Sequence, residues 1–136
     1  MRGIRNNNPG NIRHGEKWQG LSSAQTDKSF CQFISPIWGI RALFKVLFTY
    51  QRKHNKKTIR QIIDRYAPPN ENHTENYIQF VANKLGVGAN DEINVQDKAT
   101  LYALSEAIIK MENSNQHPYS VEQYDEAFKL LWKMFL

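Results

Sequence analysis

The chain has 136 residues, of which 40% are hydrophobic and 12% aromatic, and its formal net charge at pH 7 is +5. This length and apolar content are sufficient for one packed domain and exclude an intrinsically disordered chain. The single cysteine, Cys31, excludes an internal disulfide, and no apolar run is long enough for a signal peptide or a membrane span. The sequence therefore predicts one domain, residues 1–136, made without a signal peptide.

The positive charge favours an anionic partner. A nucleic acid, an acidic membrane surface and a bacterial wall all fit this charge, because each carries phosphates or carboxylates. Basic and aromatic residues do not interleave as they do in nucleic-acid-binding motifs, so we expect no nucleic-acid partner and no membrane insertion. The densest cationic run, residues 52–57, is typical of a solvated helix end.

Turn-forming residues dominate residues 1–35. Three consecutive asparagines, Asn6 to Asn8, precede Pro9 and Gly10, and this pattern favours a rigid loop that uses its side chains for hydrogen bonds. Polar and bulky apolar residues alternate over residues 28–33, which is typical of a half-buried strand. We therefore expect a loop followed by a small β-hairpin.

From Ser35 onward the apolar residues recur at helical spacing. Candidate N-caps precede each apolar segment, and proline or glycine follows several of them. Five helices are predicted: residues 36–53, a segment capped by Thr58 that ends at Tyr66, residues 75–85 with Thr74 as cap and Gly86 as stop, a long helix from caps at 94–97 to Glu112, and residues 121–133.

Glu112 stands at the end of the fourth of these helices, after Ile108, Ile109 and Met111. A carboxyl group beside apolar side chains is desolvated, which raises its pKa, and the helix dipole also disfavours negative charge at a helix C-terminus. A glutamic acid that stays neutral near pH 7 can serve as general acid at a glycosidic bond. Glu112 is therefore the candidate catalytic acid, and a solvated helix-end residue is the alternative.

Residues 107–120 resemble the catalytic segment of soluble lytic transglycosylases, in which an apolar helix ends in Glu-Ser and a proline and a serine follow. The matching residues are Glu112, Pro118 and Ser120, whereas Asn113 stands where that family has serine. In that family the glutamate is the only catalytic carboxyl group, and its segment lies near the start of the domain. The resemblance implies a lysozyme-like fold with Glu112 as the acid.

A second resemblance rests on residues 5–13, 18–20, 30–33, 39–42 and 67–72, with Thr74 and Tyr77. These residues resemble a family of phage and prophage virion proteins, some of which are regarded as murein hydrolases. A weaker similarity links the Asn-rich opening, Trp18 to Gly20, and Gln32-Phe33 to the segment that follows the catalytic helix in bacterial glucosaminidases of the lysozyme superfamily.

Together, these resemblances imply a circular permutation of the lysozyme-like fold. The catalytic helix, which normally comes first, would come late in this chain, and the hairpin that normally follows it would open the chain. Such a permutation requires the termini of the ordinary fold to lie close together, as they often do in compact domains. It predicts that Glu112 faces the loop of residues 6–13 across a groove.

Further candidates follow from the groups that a glycan substrate offers. Glu71, on a turn before a predicted helix, could orient a sugar or a water as a second carboxyl group, or could be only a turn residue. Amide and guanidinium groups can donate hydrogen bonds to N-acetyl and lactyl carboxylate groups, although asparagine also simply forms turns. A tyrosine offers a sugar an apolar ring with a hydroxyl group, although an aromatic residue at helical spacing is more often part of the core. The candidate substrate-binding residues are Asn7, Asn8, Asn11, Arg13, Gln32, Tyr66, Asn72 and Tyr77.

No metal or cofactor is expected. The four histidines are scattered without the spacing of metal ligands, no second cysteine accompanies Cys31, and no glycine-rich phosphate loop is present. A lone cysteine is more often packed than nucleophilic, and a Cys-His pair for peptide cleavage is the alternative.

The sequence thus predicts a mainly α, lysozyme-like monomer of about five helices that cleaves the bond between N-acetylmuramic acid and N-acetylglucosamine in bacterial peptidoglycan. A lytic transglycosylase needs one carboxyl group, whereas a muramidase needs two. A murein endopeptidase and a non-catalytic basic virion or nucleic-acid-binding protein are the alternatives. The protein would be made in the bacterial cytoplasm and act in the periplasm or cell wall, or from a phage virion.

Overall fold

The computed structural model describes residues 1–67 and 73–135 of the chain, and these residues are mainly helical. No helix within these ranges combines the length and the apolar character needed to cross a bilayer. The helices are α1 (Arg2–Arg5), α2 (Pro36–His54), α3 (Ile59–Tyr66), α4 (His73–Leu85), α5 (Lys98–Glu112) and α6 (Val121–Trp132), followed by a 3₁₀ turn, Lys133–Phe135.

Local capping explains where three of the helices begin. Thr58 with Gln61 and Ser120 with Gln123 form reciprocal capping boxes at the starts of α3 and α6. Asp97 accepts a hydrogen bond from a backbone N–H in the first turn of α5. Because these signals are local, the predicted helix bounds agree with α2 to α6 to within two residues at each end.

The start of α4 differs from the prediction. This helix already includes His73, so Thr74 lies inside its first turn and is not the N-cap. The stop was predicted correctly, since Gly86 follows the helix with a positive φ of 71°.

The core lies around α2. This helix packs against α3, α5 and α6, and α4 packs against α3 and α5. Each of these helices contributes an apolar face at helical spacing, as the sequence predicts. Side chains with no exposed surface include Ile40, Leu43, Phe44 and Leu47 of α2, Ile62 of α3, Val81 of α4, Leu101, Leu104 and Ile108 of α5, and Leu131 of α6.

The predicted hairpin is not confirmed, because residues 28–33 form only isolated antiparallel bridges, Arg13 with Phe30 and Leu21 with Phe33. A side chain bonds to backbone groups that a continuous strand pairing would need, because the carboxylate of Asp27 accepts hydrogen bonds from the N–H groups of Ser29 and Phe30. Such local side-chain bonds compete with strand pairing.

The loop of residues 6–13 lies directly on α2. The contact is backbone to backbone at Gly39, where a Cβ atom would lie 1.9 Å from the carbonyl oxygen of Asn7 and 2.9 Å from Cδ of Pro9. Only glycine allows this approach, so Gly39 fixes the distance between the loop and the central helix.

We expect Gly39→Ala to destabilise the protein. Alanine is favoured over glycine in a helix by about 1 kcal/mol, but a Cβ only 1.9 Å from a backbone oxygen should cost about 3 kcal/mol, the upper end of the usual range for overpacking, so a net loss of about 2 kcal/mol should result. Urea unfolding measures this difference. Gly86→Ala is the control, since a Cβ there meets no atom within 4 Å and should report only the strain of its positive φ. A Gly39→Ala protein as stable as the parent would contradict the close approach.

Candidate functional site

The Asn-rich loop is held rigid by its own amides. Asn8 has no exposed surface; its side chain accepts a hydrogen bond from the N–H of Ile12 and donates to the carbonyl groups of Ile12 and Cys31. Asn7 and Asn11 have positive φ values of 53° and 51°, a conformation that asparagine tolerates better than most residues. This geometry directs the side chain of Asn11 towards the end of α5.

Asn113 ties the end of α5 to this loop. Its fully buried amide donates to the carbonyl oxygen of Ile109, in the last turn of the helix, and to that of Pro9 at 2.8 Å. The first of these bonds satisfies a carbonyl group that a helix end leaves without a partner. Gly3 of α1 lies behind the contact, where a Cβ would come within 2.7 Å of Oδ1 of Asn113 and 2.9 Å of Oδ1 of Asn11.

Glu112, the last residue of α5, points its half-buried carboxylate at this loop. The amide of Asn11 donates to Oε1 at 3.0 Å and also to the backbone carbonyl of Glu112 at 3.3 Å. The hydroxyl of Tyr77, from α4, donates to Oε2 at 3.0 Å. The predicted juxtaposition of Glu112 with the loop of residues 6–13 is therefore present.

Burial raises the pKa of Glu112 above its ordinary value of 4.5. The hydrogen bonds from Asn11 and Tyr77 and the charge of Arg13 oppose this, because they favour the ionised carboxylate and lower its pKa, but burial is the larger effect. The pKa values of Tyr66 and Tyr77 are raised well above 10, first by burial and then by the nearby charge of Glu112. Both tyrosines therefore remain hydroxyl donors at neutral pH.

A cleft of about 410 Å³ opens above the Glu112 carboxylate, and we call it the glutamate cleft. Its volume is within the range of small-ligand sites. Of the described residues that line it, Glu112 is the one that carries a carboxylate. The wall consists of residues 10–13, Phe30, Val46 and Tyr50 of α2, residues 65–67 and Glu112.

Four predicted site residues join Glu112. Asn11, Arg13 and Tyr66 line the cleft, and Tyr77 contacts the carboxylate from beneath. The hydroxyl of Tyr66 also donates to the carbonyl of Gly10, which fastens the loop to the end of α3.

Three other predicted binding residues have structural roles instead. Asn8 is wholly buried and its hydrogen-bonding groups are used within the loop, so the prediction that it binds substrate is wrong. Asn7 donates to the carbonyl of Phe33 and does not line the glutamate cleft. Gln32 bonds to Asn6 and Thr26 and faces a different surface. Hydrogen bonds within residues 6–33 use the side chain of each of the three.

The predicted residues Glu71 and Asn72 lie outside the described residues, so their placement relative to the cleft stays a prediction.

Sequence reasoning missed Tyr50, Val46 and Arg65 in the cleft wall. Val46 and Tyr50 are one helical turn apart and flank the buried stripe of α2. The position of Tyr50, an aromatic residue at the edge of that stripe, was the one sequence feature that indicated a cleft wall. Arg65 gave no such signal, because charged residues near a helix end are common on solvated surfaces.

The described residues offer no alternative catalytic cluster of the kinds considered. Residues 1–67 and 73–135 contain no group of three histidine, cysteine or acidic side chains that could hold a metal ion. The sulfur of Cys31 lies 3.9 Å from Nδ1 of His14, but the residue is only 1% exposed and burial raises its pKa. This thiol is therefore poorly placed to act as a nucleophile.

Comparison with known proteins gives the family. The chain is 42% identical over 132 residues to "Protein P5" of Pseudoalteromonas phage PM2, a match that covers 94% of this chain and 80% of the phage protein. The chain belongs to the family of this Protein P5. No protein-family model matches it. The predicted relationship to phage proteins is thus confirmed, whereas the predicted relationship to murein hydrolases stays a prediction.

In this member of the Protein P5 family, we expect Tyr77→Phe to raise the pKa of Glu112 further, because the lost hydroxyl stabilises the ionised carboxylate. The lost bond to a charged group should also reduce the free energy of unfolding at pH 8 by about 1.5 kcal/mol. An NMR titration with ¹³C-labelled glutamate measures the pKa. Tyr119→Phe is the matched control, because its buried hydroxyl has no hydrogen-bond partner among the described residues; an unchanged Glu112 pKa in Tyr77→Phe would contradict the contact.

We also expect Glu112→Gln to be more stable than the parent at neutral pH. Since the pKa of Glu112 is higher in the folded than in the unfolded chain, the folded state retains its proton longer, and stability falls as pH rises from the unfolded pKa through the folded one. Glutamine removes this cost. Thermal unfolding from pH 3 to pH 8 should show a Tm difference that grows with pH. A difference of the opposite sign would mean that the carboxylate stabilises the fold.

Proposed function

We propose that this protein is a peptidoglycan lytic transglycosylase of lysozyme-like type, with Glu112 as its one catalytic carboxyl group. The observation that carries the proposal is the setting of Glu112: a half-buried carboxyl group with a raised pKa, at the floor of a cleft of ligand size, held by two directed donors. Perturbed carboxyl groups in clefts are typical of catalytic acids.

In the first step, neutral Glu112 donates its proton to the oxygen of the glycosidic bond as the bond from that oxygen to C1 of N-acetylmuramic acid breaks. Positive charge develops at C1, and Glu112 becomes a carboxylate. The amide of Asn11 and the hydroxyl of Tyr77 already point at its two oxygens, so the new charge meets donors that need no reorganisation.

In the second step, the carboxylate accepts the proton of the C6 hydroxyl of the same sugar while that oxygen bonds to C1. The product is a 1,6-anhydro ring, and Glu112 is neutral again, so no water is consumed and no cofactor is needed. One carboxyl group therefore suffices for the whole cycle, which agrees with the single carboxylate in the described wall of the cleft. A hydrolase would need a second carboxyl group at a defined separation.

The helical architecture and the contact between the Asn-rich loop and the end of α5 support the further proposal of a circularly permuted lysozyme-like domain. In the unpermuted order, the helix that ends at Glu112 would precede the loop, and the two would meet at the same cleft. Here they meet across 101 residues of chain, from Asn11 to Glu112. Asn113, which departs from the Glu-Ser pattern, has its own role in joining them.

The proposed partner is the peptidoglycan of a bacterial wall. A monomer made in the bacterial cytoplasm would reach this polymer in the periplasm or cell wall, or from a virion, and membership of a phage protein family is compatible with either route.

The test is digestion of purified sacculi followed by mass spectrometry of the soluble products. We expect the parent to release anhydromuropeptides and Glu112→Gln to lower the rate by about 10²–10⁴-fold, as loss of a general acid and base does. Glu106→Gln is the matched control, because its side chain is on the same helix, 49% exposed and away from the cleft, and should leave the rate unchanged.

Other products would contradict the proposal in distinct ways. Reducing muramic acid ends would indicate hydrolysis by a muramidase with a second carboxyl group. Cleaved cross-links with intact glycan strands would indicate an endopeptidase. A folded Glu112→Gln protein that degrades sacculi as fast as the parent would remove Glu112 from the reaction.

A further inference from the structure

A second space adjoins the glutamate cleft on the side of α2. It has a volume of about 270 Å³, and Arg13, Tyr50 and Arg65 line both spaces, so the two form one continuous groove. Its remaining wall includes Trp18 and Lys45. We call this second space, defined by these five residues, the cationic arm.

The three cations that line the arm are each placed over an aromatic ring. The distances from the charged group to the ring centroid are 4.9 Å for Arg13 over Phe30, 5.5 Å for Lys45 over Trp18 and 5.3 Å for Arg65 over Tyr50. Such contacts restrict long side chains before a ligand arrives. Less conformational entropy is then lost when an anion binds.

Within residues 1–67 and 73–135, none of Arg13, Lys45 and Arg65 forms an ion pair with a carboxylate. Among the described residues that line the arm, Glu16 is the one acidic residue, and it is exposed and forms an ion pair with none of the three. By contrast, Arg2 and Arg60 elsewhere on the surface are paired at 2.7 Å with Asp27 and Glu75. The arm therefore keeps free positive charge beside the proposed reaction site.

We propose that the cationic arm binds the carboxylates of the stem peptides carried by the glycan strand. The inference rests on the proposed function, and it defines the substrate as strands that bear peptides. A neutral sugar ring has no group that requires several cations, whereas a stem peptide has ionised carboxylates that accept charge-assisted hydrogen bonds from lysine and arginine. A strand with its scissile bond at Glu112 would extend a peptide past Arg13 towards Lys45 and Arg65.

The test is a sedimentation assay with glycan strands in the Glu112→Gln background, where the strands are not degraded. Three probes are used: strands with intact stem peptides, the same strands with their carboxylates amidated, and strands from which an amidase has removed the peptides, with the lactyl carboxylates that this hydrolysis frees then amidated. Lys45→Gln/Arg65→Gln is compared with Lys53→Gln/Lys57→Gln, a control that removes the same charge at exposed positions outside the arm.

With Lys45 and Arg65 in place, we expect intact strands to bind about tenfold more tightly than amidated or stripped ones, as two charge pairs would give, one at the half-buried Lys45 and one at the exposed Arg65. The preference should be lost in Lys45→Gln/Arg65→Gln, retained in Lys53→Gln/Lys57→Gln, and weakened by salt. Equal binding of all three probes overturns the proposal. Equal loss in both double variants also overturns it, because it would reflect net charge alone.

Binding is measured without cleavage, so the two proposals can fail separately. If the parent yields no anhydro product while the Glu112→Gln protein prefers intact strands through Lys45 and Arg65, the proposed reaction is refuted and the arm is retained. If the parent yields anhydro products from intact and stripped strands at equal rates, and the Glu112→Gln protein binds both equally, the reaction is retained and the arm is refuted.

Discussion

The structure depends on the contact between the Asn-rich loop and the C-terminal end of α5, two segments about a hundred residues apart in the chain. A helix end leaves carbonyl groups without partners, and a buried end must find donors elsewhere. Asn11 and Asn113 supply these donors. Each uses both N–H groups of its side-chain amide, whereas the hydroxyl of a serine or threonine could donate only one hydrogen bond. The same contact half-buries Glu112, and burial raises its pKa, so the interaction that closes the fold also sets the environment of the proposed catalytic acid.

The helices could be predicted because their signals are local. The capping boxes at Thr58 and Ser120 and the apolar periods of α2, α5 and α6 need no knowledge of distant residues. The site was partly predictable for a different reason: apolar neighbours and a helix end are enough to suggest a raised pKa at Glu112. The partner loop came from resemblance, because nothing local in residues 6–13 indicates which helix they contact.

The remaining features could not be read from the sequence because they depend on competition between partners. Asparagine is common both in turns and in ligand sites. Only the fold determines that the amide of Asn8 donates to the carbonyl groups of Ile12 and Cys31, while the amide of Asn11 donates to the carboxylate of Glu112. The alternation of polar and apolar residues over 28–33 indicates a strand, yet Asp27 accepts hydrogen bonds from the backbone N–H groups that strand pairing would use. Arg65 enters the cleft only because α3 ends beside Gly10.

The balance of forces on Glu112 suits a residue with two successive tasks. Burial alone would make it a ready proton donor but a poor site for the charge it then carries, whereas donors alone would keep it ionised and unable to donate. Here burial outweighs the hydrogen bonds from Asn11 and Tyr77, so the pKa of Glu112 is raised, and the donors are in place for the negative charge that the first proton transfer leaves. A general acid that must next act as base works best when neither form is strongly favoured at the working pH. The opposed contributions from burial and from the two donors are therefore what the proposed single-carboxyl mechanism requires.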